Sequence, residues 1–141
     1  MTTTSLTIDQ ASTLMHRYYS LFNGELGVLN DVVADLWRNQ SSNGTYNEKT
    51  AFAAIIGGLR QAVPDLAWTI DEILIDNNRV TVRGHGTGTP TSAIFGVEPT
   101  GRSFSLLSID IHTIDPDTNR ILSSFHLEDW AGALQQLQTG Q

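Results

Sequence analysis

Apolar residues follow two different spacings along the chain, and the change between them divides it into a helical part and a strand part. Apolar side chains recur at helical spacing from Ala11 to Phe22, and Asn23-Gly24 is a typical helix end. The same spacing predicts a short helix over Leu29–Leu36 and a longer one over residues 48–63, which Pro64 would end. The first 64 residues therefore predict three helices.

Two short motifs mark where the first and third helices begin. Thr7 and Gln10 are spaced as a capping box, in which the threonine and glutamine side chains bond backbone N–H groups that the helix leaves free. Thr45 and Glu48 have the same spacing before the third helix. We therefore expect both helices to begin with a side-chain cap.

The second half of the chain predicts strands, because apolar and polar residues alternate there and turn-forming residues separate the runs. Asp76-Asn77-Asn78 and residues 115–119 are predicted turns, and residues 90–101 a loop. The polar run Arg38–Gly44 is a further predicted turn, and residues 131–138 predict a closing helix. The predicted strands are Trp68–Ile75, Arg79–Thr89, Arg102–Ile114 and Arg120–Asp129.

Helices followed by hairpin-connected strands predict an α+β fold, in which the helices pack on one face of a mainly antiparallel sheet. The order favours a cone-shaped α+β barrel, whose N-terminal helices cover a curved sheet and enclose a pocket. We expect residues 1–141 to form one domain with a polar tail at residues 1–6, since no repeat or linker interrupts the chain. A pocket between helices and sheet usually holds a small molecule.

Composition and charge remove several classes of protein from consideration. The chain has 141 residues, a formal net charge of −7 and only eight Lys or Arg residues, so it has no basic stripe for nucleic acid. It has no cysteine, which excludes disulfides, zinc–thiolate sites and thiol nucleophiles. No apolar run approaches the roughly 20 residues of a membrane span, and no signal peptide is visible. We therefore expect a cytoplasmic protein without nucleic-acid or membrane partners.

Titratable residues interrupt two of the predicted strands, and strand alternation places them on one face. Asp110 and His112 share a parity in "SIDIHTI", and His126 and Glu128 share one in "SFHLEDW". The turn at residues 115–119 would pair these strands antiparallel and bring both sets together. This half-apolar, half-titratable face fits a pocket wall, an exposed face or a subunit interface. Asp129 has the other parity, so a bulge would be needed to turn it toward His112.

A further pattern covers residues 94–138. Gly96, Pro99-Thr100-Gly101 and Arg102 precede a strand with an aspartate and a histidine, and Asp129 comes shortly before the "LQQL" of residues 134–137. This pattern resembles the SnoaL-like family of polyketide cyclases and ester cyclase-type proteins, which have the nuclear transport factor 2-like fold. It is specific for fold and family rather than for reaction, because the fold hosts isomerases, hydrolases, dehydratases and binding proteins.

The resemblance implies an enzyme that closes a ring by an intramolecular aldol reaction without a metal or cofactor. Asp129 matches the aspartate that moves the proton, His112 matches the assisting histidine, and His126 belongs to an "HxED" variant of the pattern. Family members often carry a histidine before the asparagine that Asn39 matches, and this chain has Arg38 there. The resemblance also implies a small hydrophobic, polyketide-like carbonyl substrate and a homodimer formed through the sheet.

Each catalytic candidate also has a structural explanation. Asp129 directly precedes the closing helix, where a carboxylate caps the helix N-terminus. His112 would be satisfied within the sheet by Asp110, and Asp110 would then orient a histidine rather than react. His126 would lie in the core or at an interface. Asp110, His112 and His126 are also the residue types of a two-histidine, one-carboxylate metal site, although any two strand histidines would permit one.

The remaining charged residues and histidines are predicted to be structural. Glu128 would be solvated or paired with Arg102 or Arg120. His85 lies in "RGHGTGT", whose glycines precede no helix and therefore predict no phosphate site. His16 would face solvent on the first helix. An amide and several aromatic side chains are instead predicted to line the pocket: Tyr18, Tyr19, Trp37, Asn39, Trp68, Phe95 and Phe104.

Three functions remain open from the sequence. The first is a cyclase or isomerase with Asp129 and His112 as an acid–base pair on a carbonyl substrate. The second is an epoxide-type hydrolase, in which Asp110 and Asp129 would bracket Arg83 and activate water. The third is a non-catalytic domain that binds a small molecule or dimerises, in which Asp110, His112 and His126 would lie at an interface.

Overall fold

A curved sheet of six strands forms the framework of the computed structural model, which describes residues 6–140. The strands are β1 (Val33–Gln40), β2 (Tyr46–Asn47), β3 (Ala67–Asp76), β4 (Arg79–Gly88), β5 (Phe104–Asp115) and β6 (Arg120–Glu128). The helices are α1 (Ile8–Tyr19), α2 (Leu29–Val32), α3 (Lys49–Ala62) and α4 (Trp130–Thr139). The strand order is β2-β1-β6-β5-β4-β3, and only β1 and β6 run parallel.

This arrangement confirms the predicted α+β fold with helices on a curved, mainly antiparallel sheet. Helix α1 contacts β3, α3 contacts β1, and α4 contacts β5. The sheet is open, with β2 and β3 at its edges. None of the helices within residues 6–140 is long and apolar enough to cross a membrane.

The predicted helix over Leu29–Leu36 is wrong in its second half. Helix α2 ends at Val32, and the chain continues directly into β1. The alternation there has a period of two: Trp37 and Asn39 are buried, whereas Leu36 is 90% exposed. The run Arg38–Gly44 is correspondingly half strand, because its first three residues belong to β1. Parallel pairing with β6, more than 80 residues away, outweighs the local helical spacing.

The first predicted helix cap is confirmed and the second is wrong. The Thr7 hydroxyl accepts a hydrogen bond from the Gln10 backbone N–H at 3.1 Å, and the Gln10 side chain accepts one from the Thr7 N–H at 3.0 Å. Thr45 instead bonds Asn43 within a turn, at 2.7 Å between side-chain oxygens. Glu48 is the residue that precedes α3, and its side chain makes no cap bond.

The predicted polar tail is only partly within the described residues. Residues 1–5 lie outside them, and Leu6 is buried in the hydrophobic core rather than part of a polar tail. That core fills the space between the helices and the inner face of the sheet. Its largest fully buried apolar side chains include Met15, Leu21, Leu29 and Leu106.

The two faces of β5 differ sharply in exposure. Asp110 and His112 point to the inner face and are buried, whereas Ile109 and Ile111 between them are exposed on the outer face. On β6 the same alternation buries Ser124. The predicted shared face of Asp110, His112, His126 and Glu128 is therefore confirmed, because β5 and β6 pair antiparallel with His126 directly opposite Asp110.

The Pro-Thr-Gly-Arg motif anchors the last helix. The Thr100 hydroxyl donates to the Leu137 carbonyl at 2.6 Å, and the Arg102 guanidinium donates to the Gln138 carbonyl at 2.7 Å. Carbonyls in the last turn of a helix have no partner within the helix and attract a cation. The motif therefore fixes the C-terminal end of α4 against the start of β5.

Candidate active site

A chain of hydrogen bonds runs through the buried space beneath the helices. The Trp37 indole N–H donates to the Ser124 hydroxyl at 3.0 Å, and that hydroxyl lies 2.6 Å from His112 Nδ1. His112 Nε2 lies 3.0 Å from the Tyr19 hydroxyl, which donates in turn to Asp110. All five side chains are buried. These five residues form a buried cluster that connects β1, β5 and β6 with α1.

One protonation pattern satisfies every bond in the buried cluster. With its proton on Nε2, neutral His112 donates to the Tyr19 oxygen and accepts the Ser124 proton at Nδ1. Tyr19 is then free to donate to Asp110. All donors consequently point the same way, from Trp37 toward the Asp110 carboxylate, and the histidine needs no charge.

Burial shifts the pKa values of three groups in the cluster, and the shift of His112 is the one that this pattern requires. Burial raises the pKa of Asp110 to about 7, although the hydrogen bond from Tyr19 opposes the rise. Burial, together with the nearby His126, lowers the pKa of His112 to about 3. The Tyr19 pKa lies well above its ordinary value, first through burial and then through the Asp110 charge. At neutral pH His112 is therefore neutral, and burial favours the protonated form of Asp110.

A pocket of about 620 Å³ lies beside the cluster, between α3, the turn after β1, the loop before β5 and the end of β6. This volume is in the range of ligand pockets in proteins. Its titratable lining residues are His126 and Glu128, two positions apart on β6. Most of the remaining lining is apolar and includes Phe52, Ile56, Leu59, Ile94, Phe95 and Trp130.

Burial shifts the pKa values of both pocket residues in the direction that favours their uncharged forms. It raises the pKa of Glu128, and the hydrogen bond from the Trp130 indole opposes the rise. It lowers the pKa of His126, which favours the neutral imidazole. Titratable pairs with shifted pKa values are typical of acid–base sites, although structural networks also produce them.

Several buried polar atoms on the inner face have no hydrogen-bond partner among the described residues. They include both side-chain amide atoms of Asn39, Asp110 Oδ1 and His126 Nδ1. These three residues lie on the neighbouring strands β1, β5 and β6. Because unpaired buried polar atoms are costly, a group of them next to a pocket indicates water or ligand contacts.

Asp129 is not brought together with His112. It lies at the N-terminus of α4, where its carboxylate accepts a hydrogen bond from the Gly132 backbone N–H at 2.9 Å. The side chain is exposed, and no bulge turns it toward the inner face. The structural explanation, a helix cap, is therefore the one that the geometry supports, and the catalytic role of Asp129 stays a prediction.

Most residues predicted to line the pocket lie elsewhere. Only Phe95 is a pocket-lining residue, at the loop before β5. Tyr19 and Trp37 belong to the buried cluster, and Asn39 is buried nearby. Tyr18, Trp68 and Phe104 pack in the core, the first with its ring 4.9 Å from that of His112. Of these residues, Trp37 and Phe104 pack against the lining residues Phe52 and Trp130, respectively.

Glu128 lines the pocket, although the sequence predicted it to be solvated or paired with Arg102 or Arg120. It is half-buried in the pocket wall and accepts from Trp130, not from the arginines considered as its partners. Arg102 bonds α4, and Arg120 donates to the Val33 carbonyl at 3.0 Å. The sequence did contain a signal for this position. His126 and Glu128 have the same parity on β6, and two side chains on one face of a strand meet the same surroundings.

Two alternative sites considered from the sequence do not assemble. Arg83 lies on the outer face of the sheet, where it contacts Asp71 and Glu72, so it cannot share a site with the inward-facing Asp110. Within residues 6–140, no three His, Asp or Glu side chains converge in the manner of a metal site. His85 is likewise on the outer face, with Nδ1 2.7 Å from Asp71.

A curved sheet under helices, with a pocket and a buried polar cluster on its inner face, defines an α+β protein with the nuclear transport factor 2-like fold. Residues 12–137 match the family model of the SnoaL-like polyketide cyclases. The chain belongs to this family. No match was found among curated proteins.

Solved structures share the fold at low sequence identity. IdmH from Streptomyces antibioticus, a proposed polyketide cyclase, is 21% identical with a TM-score of 0.81, over 92% of this chain and 99% of its own. TsrD from Streptomyces laurentii is 21% identical with a TM-score of 0.81, over 96% of this chain and 99% of its own. A proposed polyketide cyclase from Acidithiobacillus ferrooxidans is 19% identical with a TM-score of 0.80, over 96% and 100%.

Proposed function

We propose that the protein is an acid–base enzyme of the cyclase or isomerase kind, acting on a small, largely apolar carbonyl compound. The observation that carries this proposal is the pairing of His126 and Glu128 on one face of β6, in a mostly apolar pocket of about 620 Å³. An apolar pocket holds the carbon skeleton, while two titratable groups, whose uncharged forms burial favours, exchange protons with it.

The two side chains have complementary roles in this proposal. Neutral His126 accepts a proton from the carbon next to one carbonyl, and that carbon forms the new bond to a second carbonyl carbon. The protonated Glu128 carboxyl donates its proton to the oxygen of the second carbonyl. The product is an isomer of the substrate, and transfer of the proton from His126 back to Glu128 restores the enzyme.

The buried cluster supports this chemistry from behind. Asp110 lies directly opposite His126 in the ladder, a geometry in which Cβ atoms are about 4.5–5.5 Å apart. A carboxylate at that position can stabilise the imidazolium that forms on His126. His112 is fully buried and bonded at both ring nitrogens, so its role in this proposal is to hold Tyr19 and Asp110 in place.

Proton abstraction can be tested without knowing the natural substrate. The bicyclic ketone 2-tetralone, incubated in D₂O, reports abstraction as deuterium incorporation at the carbons beside its carbonyl. We expect wild-type protein to accelerate the exchange, and His126→Asn and Glu128→Gln to lower the acceleration on the order of 100-fold, the worth of one acid–base group. His16→Asn and Glu98→Gln, which change exposed residues that do not line the pocket, serve as matched controls.

The same experiment separates catalysis from simple binding. If 2-tetralone binds in the pocket, as shown by shifts of His126 and Glu128 resonances, but exchange is no faster than in buffer, the protein is a binding domain. Equal losses in the His16→Asn and Glu98→Gln controls would also contradict the proposal, because neither residue lines the pocket.

We further propose that a second copy of the chain packs on the outer face of the sheet. Large apolar side chains are exposed there in two neighbouring strands: Leu107, Ile109, Ile111, Phe125 and Leu127. A patch of this kind is typical of an interface. Sedimentation equilibrium should give a dimer for the wild type and a monomer for Ile109→Glu, with Ile8→Glu on α1 unchanged. A wild-type monomer would contradict this proposal.

A further inference from the structure

The pocket carboxylate is held by a residue that does not itself react. The Trp130 indole N–H donates to Glu128 Oε2 at 2.7 Å. Glu128 is the last residue of β6 and Trp130 the first of α4, and Asp129 between them caps that helix. The strand end and the helix start therefore fix the direction from which the indole reaches the carboxylate.

Two aromatic rings determine where the indole lies. Phe104, buried at the start of β5, has its ring centre 5.6 Å from that of Trp130. Phe95, in the loop before β5, has its ring centre 4.9 Å away, although its side chain is 67% exposed. Trp130 thus packs between a fixed ring of the core and an exposed ring at the pocket, and both Trp130 and Phe95 line that pocket.

The loop presents Phe95 at some cost in conformation. Ile94 and Val97 exchange two backbone hydrogen bonds, of 3.1 and 2.9 Å, across a tight turn. Phe95 and Gly96 occupy the turn with positive φ angles, of +47° and +78° respectively. A bulky residue rarely adopts a positive φ, and such outliers cluster at functional sites. The strained turn places the exposed Phe95 ring in contact with Trp130.

We propose that Trp130 is a positioning residue for Glu128, and that Phe95 holds Trp130 in the orientation that makes this hydrogen bond. The inference rests on the proposed function in one respect, which is that this function gives Glu128 its chemical role. The hydrogen bond opposes the effect of burial on the Glu128 pKa, so the turn at Ile94–Val97 controls the protonation of the pocket carboxyl.

Other titratable groups near Glu128 act on it much less directly. Across the sheet and from α1 the nearest are Asp110, Tyr18 and Tyr19, whose pKa values the Glu128 charge raises. On its own strand the neighbour is His126. Helix α4 carries no charged residue within Trp130–Thr139, and Ala93, Ile94 and Phe95 on the loop side carry none.

The first test measures the Glu128 pKa by carbon NMR of its labelled carboxyl group. In Trp130→Phe the ring remains but the donor is lost, so the Glu128 pKa should rise above the wild-type value. Trp68→Phe is the matched control, because the buried Trp68 indole N–H has no partner among the described residues. An unchanged Glu128 pKa in Trp130→Phe, or an equal rise in Trp68→Phe, would overturn the positioning role.

The second test follows exchange of the Trp130 indole proton with solvent. Phe95→Ala should accelerate this exchange roughly 2- to 10-fold, the equivalent of one aromatic pair. The indole proton of Trp37, buried and bonded to Ser124, is the internal standard and should not change. Tyr46→Ala, which removes an exposed ring from the edge strand β2, is the control variant. Unchanged Trp130 exchange in Phe95→Ala would overturn the role of Phe95.

Neither measurement requires turnover. If 2-tetralone exchange fails while both tests succeed, the proposed enzyme activity is wrong and the positioning of Glu128 stands. If exchange succeeds and depends on Glu128 while Trp130→Phe leaves its pKa unchanged, the activity stands and the positioning role is wrong.

Discussion

The Tyr19 hydroxyl on α1 donates a hydrogen bond to the Asp110 carboxylate on β5, across 91 positions of sequence. Both side chains are buried, and Tyr19 Oη also contacts His112 Nε2 at 3.0 Å. One helix therefore supplies the group that stabilises the charged form of Asp110, while burial stabilises its neutral form. The balance of the two gives a carboxyl that titrates near pH 7 rather than near 4.

Tyr19→Phe should unbalance this pair. The variant keeps the ring but removes the donor to Asp110, so the Asp110 pKa should rise above about 7. The Asp110 carboxylate would lose its donor and His112 Nε2 its acceptor, at a cost of about 1–3 kcal/mol in the free energy of unfolding. Carboxyl NMR and urea unfolding measure the two effects. Tyr46→Phe, at an exposed position, should change neither, and a fall in the Asp110 pKa would contradict the assignment.

Asp110 and His112 should give opposite pH dependences of stability. Asp110 has a pKa of about 7 folded against 3.8 as a model value, so its contribution is lost as pH rises through this window. His112 has a pKa of about 3 folded against 6.5, so its contribution is lost as pH falls through that window. Between pH 3.8 and 6.5 the two slopes oppose each other.

Single variants should separate the two slopes. Between pH 3.8 and 6.5 the unfolding free energy of Asp110→Asn should increase with pH more steeply than that of the wild type, because only the His112 contribution remains. Over the same range the unfolding free energy of His112→Gln should decrease with pH, because only the Asp110 contribution remains. Urea unfolding at half-unit pH steps gives the slopes, which are independent of any constant loss caused by the substitution. His16→Gln, on the exposed side of α1, is the control. Slopes parallel to wild type in both variants would contradict the buried-cluster assignment.

Asp129 can be assigned by comparing two substitutions. Asp129→Ala removes the cap bond to Gly132 and should lower the unfolding free energy by about 1 kcal/mol. Asp129→Asn keeps a capping oxygen and should be close to wild type in both stability and deuterium exchange of 2-tetralone. A large loss of exchange activity in Asp129→Asn without loss of stability would instead restore the catalytic role that the family resemblance implies.

The sequence was sufficient for features that depend on local alternation. The parity of Asp110 and His112, with a short turn before β6, predicted that they share a face with His126 and Glu128. Each step uses neighbours within about 20 residues. The strand boundaries from β3 onward agree with prediction within two residues for the same reason.

Other features depend on distant partners and could not be predicted from local patterns. Strand β1 forms because β6 offers a parallel edge late in the chain, and its first residues had helical spacing. The bond between Tyr19 and Asp110 joins α1 to β5, so parity could place Asp110 on a face but not identify its partner. Asp129 had two consistent roles, and only the position of α4 distinguishes the cap from the pocket wall.

The last prediction concerns Trp68, whose ring lies against Gly86 of β4, a residue without a side chain. A Cβ built on Gly86 would come within 2.5 Å of the Trp68 ring, which also stacks on Phe22 at 4.1 Å between centres. Gly86→Ala should therefore displace the ring and lower the unfolding free energy by about 1–3 kcal/mol.

Gly58→Ala is the matched control for this overpacking. A Cβ at Gly58, within α3, meets no atom within 4 Å, so the substitution should raise the unfolding free energy by about 0.5–1 kcal/mol through helix propensity. Urea unfolding of both variants, with tryptophan fluorescence to follow Trp68, measures the contrast. If Gly86→Ala were as stable as Gly58→Ala, the Trp68 ring would not lie against β4.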